Sequence, residues 1–83
     1  MTSVPTIYTS PYCDKCTKTI GEYERRHRPV KTIDVEQTPG ALHALTAMGL
    51  TQLPVVITDE DKWSGHRLDK ILADIGKGNR DAS

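Results

Sequence analysis

Cys13 and Cys16 are the only cysteines of the 83-residue chain, and they stand in the run Pro11-Tyr12-Cys13-Asp14-Lys15-Cys16. Cys-x-x-Cys spacing serves more than one chemistry. Two sulfurs one helical turn apart can bridge and open again, which is thiol–disulfide exchange. The same spacing can furnish half of a tetrahedral zinc site, and free cysteines are also common as inert core residues. Zinc calls for four ligands, whereas this chain has no second cysteine pair, and His27, His43 and His66 are scattered. Exchange chemistry is the reading these residue types favour.

For exchange the two thiols need unlike surroundings, and the flanking elements supply them. Thr6-Ile7-Tyr8-Thr9 is a β-branched and aromatic run that reads as a strand, and Ser10-Pro11 interrupts it. A helix begins near Asp14, with Cys16, Ile20, Tyr23 and His27 on one stripe. Cys13 therefore falls at the helix N-terminus, where unpaired N–H groups and the positive dipole end favour a thiolate. Cys16 falls one turn deeper, where burial keeps it protonated. Cys13 is thus expected to attack and Cys16 to resolve. Lys15 would stabilise the thiolate and Asp14 would oppose it, so the helix terminus is expected to dominate.

The rest of the chain must hold that junction. Arg28-Pro29 ends the helix, because the residue before proline is pushed out of the α region. Arg25, Arg26, His27 and Arg28 read as its solvated C-terminal turn. Val30–Val35 reads as a second strand. Thr38 is the expected N-cap of a second helix with Pro39 at its first position, Leu42, Leu45 and Met48 on its inner face, and Gly49 as its stop. Pro54–Thr58 is a third strand, Asp59–Lys62 a turn, and Trp63 lies on a short fourth strand. Leu68, Ile71, Leu72 and Ile75 mark a last helix. The order β-α-β-α-β-β-α predicts an α/β domain: a four-stranded mixed sheet, first two strands parallel, helices on both faces. One domain spans 1–76, followed by a loose polar tail over 77–83. Pro54 at the head of an apolar strand is either an ordinary trans proline or a cis Leu53–Pro54 turn that offers Leu53 backbone groups to an extended substrate.

Composition narrows the partners. Eleven Lys+Arg balance eleven Asp+Glu, which gives no electrostatic reason to expect nucleic acid or an anionic membrane. No apolar run approaches a membrane span. The first residues show neither a basic nor an apolar leader pattern, so a reducing, cytoplasmic setting is expected.

Three blocks then carry a resemblance: Thr6–Thr9 leading into Cys13–Cys16; Gln52-Leu53-Pro54-Val55-Val56; and Trp63-Ser64-Gly65-His66-Arg67-Leu68-Asp69-Lys70-Ile71. Over residues 5 to 76 the chain resembles the thioredoxin-fold glutaredoxins, and most closely their NrdH-redoxin branch. The resemblance implies a thioredoxin fold, Cys13 as nucleophile, a Cys13–Cys16 disulfide in the oxidised form, and Pro54 as a cis-proline. It implies a monomer without bound cofactor that donates electrons to the class Ib ribonucleotide reductase large subunit. Its own electrons would come from NADPH through a flavin-containing thioredoxin reductase. Tyr12, Asp14, Lys15, Leu53, Pro54, Trp63, Ser64, Gly65, His66 and Arg67 would form the partner-docking surface, with Trp63 suited to core or surface by its amphipathic ring. Asp14-Lys15 and His66 depart from the branch pattern, which usually has an uncharged pair and a Phe there; His66 is read as a solvated substitute. Glutathione-dependent reduction is the alternative, although the Gly-Gly-then-Asp segment of glutathione-binding relatives is missing around Gly65. A non-catalytic docking module is the alternative of another class.

Overall fold

The computed structural model describes the backbone of residues 4–82 and side chains of residues 4–76. The chain runs β1 (Thr6–Thr9), α1 (Asp14–Arg25), β2 (Lys31–Asp34), α2 (Ala41–Ala47), β3 (Val55–Ile57), β4 (Lys62–Ser64) and α3 (Leu68–Ala82). This is the predicted order. The strands form one sheet in the order β2-β1-β3-β4. β1 pairs with β2 in parallel and with β3 antiparallel, and β3–β4 is an antiparallel hairpin.

Side-chain alternation along the strands feeds two cores. Ile7, Val56 and Trp63 point to one face, where Tyr23 of α1 and Ile71 and Ile75 of α3 close over them. Val55 points to the other face, with Val35 and with Ala41 and Leu45 of α2. Helices thus cover both faces, as the sequence predicts.

Several boundaries and faces differ from expectation. α1 ends at Arg25, and His27 leaves its stripe: it is exposed with φ 58°. There the N–H of His27 donates to Glu24 O (3.0 Å) and that of Arg28 to Tyr23 O (2.9 Å). These two bonds close the helix in a left-handed cap before Pro29 can act. Gly49 (φ 79°) closes α2 with the same pattern, Leu50 N–H donating to Leu45 O. Arg25 and Arg26 pair with Glu22 and are exposed, but Arg28 is half-buried: its Nε and Nη2 are enclosed without a partner among the described residues.

α2 starts at Ala41 rather than Pro39, because Thr38-Pro39-Gly40 is a turn closed by Ala41 N–H to Thr38 O (3.1 Å); Thr38 does not cap the helix. Only Ala41 and Leu45 of this short helix are buried, leaving Leu42 and Met48 half-exposed. Leu68 and Leu72 likewise sit at the edge of the α3 stripe that Ile71 and Ile75 bury. The α3 backbone runs on to Ala82, through the segment read as tail; side chains 77–82 and all of Ser83 lie outside the described residues.

Candidate active site

The strand-to-helix junction places Cys13 at the N-cap of α1, in extended conformation. Its Sγ accepts the Cys16 N–H at 3.1 Å, and its carbonyl accepts the Thr17 N–H at 3.2 Å. A helix N-terminus has donors to spare, and here a sulfur takes the place that a Ser or Asp oxygen fills in other helices. The Cys13 and Cys16 Cα atoms are 5.2 Å apart and their sulfurs are joined as a disulfide. Cys13 is half-buried, whereas Cys16 is 1% exposed. An attacking thiol must be reached and a resolving one must be shielded, so the asymmetry matches the two assigned roles.

The Leu53–Pro54 peptide bond is cis, the turned form of the two the sequence allowed. Pro54 is buried at the head of β3 and Leu53 packs against the α2 core. Gly65, at φ 82°, donates its N–H to Pro54 O (2.8 Å) and to Gln52 O (3.2 Å). A side chain there would be strained by the backbone and would press on Gln52 Oε1 at 3.3 Å. The Trp63-Ser64-Gly65 block and the Gln52-Leu53-Pro54 block thus meet through main-chain atoms.

The expected docking residues divide. Tyr12 is 91% exposed, and Asp14, Lys15 and Arg67 are also exposed. Arg67 pairs with Asp69 at 3.1 Å and holds its carboxyl below the usual carboxylate range by a hydrogen bond; so exposed a pair contributes little to stability. Ser64 is half-buried opposite Val55. Trp63 is a core residue, not a surface one: it is 5% exposed among Ile7, Tyr23 and Val56. Gly65 is buried as well.

His66 is not a solvated substitute. It is half-buried, and its Nδ1 lies 2.9 Å from the hydroxyl of Thr19, which is fully buried in α1. Thr19 was not among the residues singled out from sequence. A lone threonine on a helix carries no signal of a partner 47 residues away, though its place on the buried side, three residues after Cys16, could have flagged it.

Comparisons with known proteins agree with this geometry. The glutaredoxin family model matches residues 6–63. The glutaredoxin-like protein NrdH of Escherichia coli (strain K12) is 44% identical over 66 residues, covering 80% of this chain and 82% of that protein. Its counterpart from Salmonella typhimurium (strain LT2) is 39% identical over the same shares. The solved structure of NrdH-redoxin from E. coli, described as a glutaredoxin-like protein with a thioredoxin-like activity profile, superposes with a TM-score of 0.82 at 41% identity. That match covers 86% of this chain and 93% of that one. With a helix-capping Cys13 above a buried Cys16, the chain belongs to the glutaredoxin family, as a glutaredoxin-like NrdH-type thiol–disulfide oxidoreductase with the thioredoxin-like fold.

Proposed function

We propose that this protein carries electrons from a flavin-containing thioredoxin reductase, and so from NADPH, to protein disulfides, with the class Ib ribonucleotide reductase large subunit as the main recipient. The observation that carries the reading is the Cys13 cap: a thiolate there receives the Cys16 N–H and stands at the positive end of α1. The Cys13 thiolate attacks one sulfur of the substrate disulfide, and the other substrate sulfur leaves as a thiolate. Cys16 then gives up its proton and attacks Cys13 Sγ, releasing the second substrate thiolate and closing Cys13–Cys16. Two electrons have passed to the substrate, and both its sulfurs end as thiols. The chain itself holds no cofactor in this cycle. It works as a monomer in the cytoplasm, without nucleic acid or membrane. Lys15, Asp14, Tyr12 and Arg67 form the exposed rim a partner meets, and the Leu53 backbone at the cis turn receives an extended segment. The thioredoxin-like activity profile stated for the E. coli relative supports the reductase route over glutathione.

The test is NADPH oxidation with a thioredoxin reductase, this protein and a disulfide substrate. Turnover is expected, with Cys13→Ser abolishing it and Cys16→Ser accumulating a mixed disulfide. No turnover with any such reductase, or glutathione-coupled reduction at an equal or higher rate, would overturn the proposal. Full activity of Cys13→Ser would point to a docking module instead.

A further inference from the structure

Thr19 is the one buried polar residue of the described core. It lies on α1 three residues after Cys16, on the same side of the helix. A helical threonine hydroxyl commonly bonds back to the carbonyl one turn earlier. Thr17 does so with Cys13 O, and Thr46 with Leu42 O. Thr19 reaches out of its helix instead, to His66 Nδ1 at 2.9 Å. His66 directly follows Gly65, whose N–H is held by Pro54 O at 2.8 Å and by Gln52 O at 3.2 Å. A side-chain bond and a main-chain bond therefore act in series, running from the helix that holds Cys16, through Thr19, His66 and Gly65, to the cis turn at Pro54. A buried hydroxyl loses its partner if the loop moves away.

We propose that His66 is a positioning residue: through Thr19 it fixes the loop after β4 against α1, and so sets the gap between the Pro54 backbone and the two cysteines. The proposal rests on the thiol-exchange reading above. On that reading an extended polypeptide attacked by Cys13 also lies along the Leu53–Pro54 main chain, and is sensitive to that gap. A small disulfide needs only to reach Cys13. His66 and Thr19 thus favour protein disulfides over small ones without touching the reacting sulfurs.

The test compares single turnovers of reduced protein with excess oxidised insulin and with excess hydroxyethyl disulfide, read by acid quench and thiol alkylation. Thr19→Val and His66→Phe are each expected to raise the half-saturating insulin concentration about fivefold, with the limiting rate moving less than about twofold. The ratio of the insulin efficiency to the hydroxyethyl disulfide efficiency falls accordingly. Together the two substitutions should be no worse than either alone, because they remove one bond. Thr19→Ser and His66→Asn, which keep a hydrogen-bonding atom near the same place, should restore most of the ratio. A lower limiting rate with unchanged half-saturation, equal losses with both disulfides, or additive effects would overturn the proposal. If Thr19→Val does not fold, His66→Phe against His66→Asn decides alone, since His66 is only half-buried. A wild-type protein that reduces neither disulfide removes the exchange reading, and this proposal with it.

Discussion

On one face of the sheet, α1 and α3 enclose Ile7, Tyr23, Val56, Trp63, Ile71 and Ile75, all buried. On the other, α2 has only seven residues and lays Ala41 and Leu45 over Val35 and Val55, and Tyr8, Leu50, Leu53 and Ile57 remain partly open around them. The first face holds both buried aromatics of the described chain; the second holds none. The site straddles this inequality. Cys16 is anchored by the helix of the thick face, while Leu53, beside the cis turn, packs on the thin one. The dithiol is thus mounted on the more thickly packed half, and the backbone proposed to receive substrate on the thinner one. Exchange needs two sulfurs at a fixed separation, whereas recognition of varied polypeptides tolerates some give.

The comparison can be broken by substitution. Trp63→Ala should have the largest effect, about 3–5 kcal/mol, because it empties the centre of the thick face. That is a large share of the ordinary stability of a domain. Urea unfolding followed by far-ultraviolet circular dichroism measures it. On the thin face, Leu45→Ala should cost about 2–3 kcal/mol and Leu42→Ala within about 0.5 kcal/mol, since only Leu45 is buried. If Leu45→Ala cost as much as Trp63→Ala, the faces would be equal and the contrast would fall.

Tyr23→Phe sharpens the contrast with a smaller change. Burial, and then the charge and hydrogen bond of Asp74, push the Tyr23 phenol above the ordinary phenol range. A group whose pKa is raised by folding lends stability that is fully present below its unfolded value, near 10. As pH climbs past that value, unfolded chains release a proton that the folded chain keeps, so stability declines. Tyr23→Phe should cost about 1 kcal/mol at neutral pH through the lost bond to Asp74, and should flatten the alkaline decline. Urea midpoints taken from neutral pH upward through that range would show both.

Much of this was legible in the sequence, and the failures have physical reasons. The unlike settings of Cys13, at the helix cap, and Cys16, buried one turn on, follow from a strand-to-helix junction, which is a local feature. The element order was legible because Pro and Gly punctuate it. The inner faces of α2 and α3 were drawn too wide, at Leu42, Met48, Leu68 and Leu72. Periodicity reports which residues share a stripe, but not how far a small sheet extends beneath it. Periodicity extends the helix to His27 because left-handed caps usually announce themselves with glycine, as at Gly49. The Thr19–His66 bond was invisible because nothing in either neighbourhood encodes contact across the fold.

The bond from Gly65 N–H to Pro54 O has a consequence for redirecting this protein. Because the Gln52-Leu53-Pro54 and Trp63-Ser64-Gly65 blocks are joined here by main chain, that bond is indifferent to the identity of exposed side chains such as Tyr12 and Arg67. Tyr12 and Arg67 can be exchanged without breaking it. On the proposed reading, in which these two side chains meet the partner, electron delivery and address labelling are separately editable: a library at Tyr12 and Arg67 would search for new clients while Cys13, Asp14, Lys15 and Cys16 stay constant.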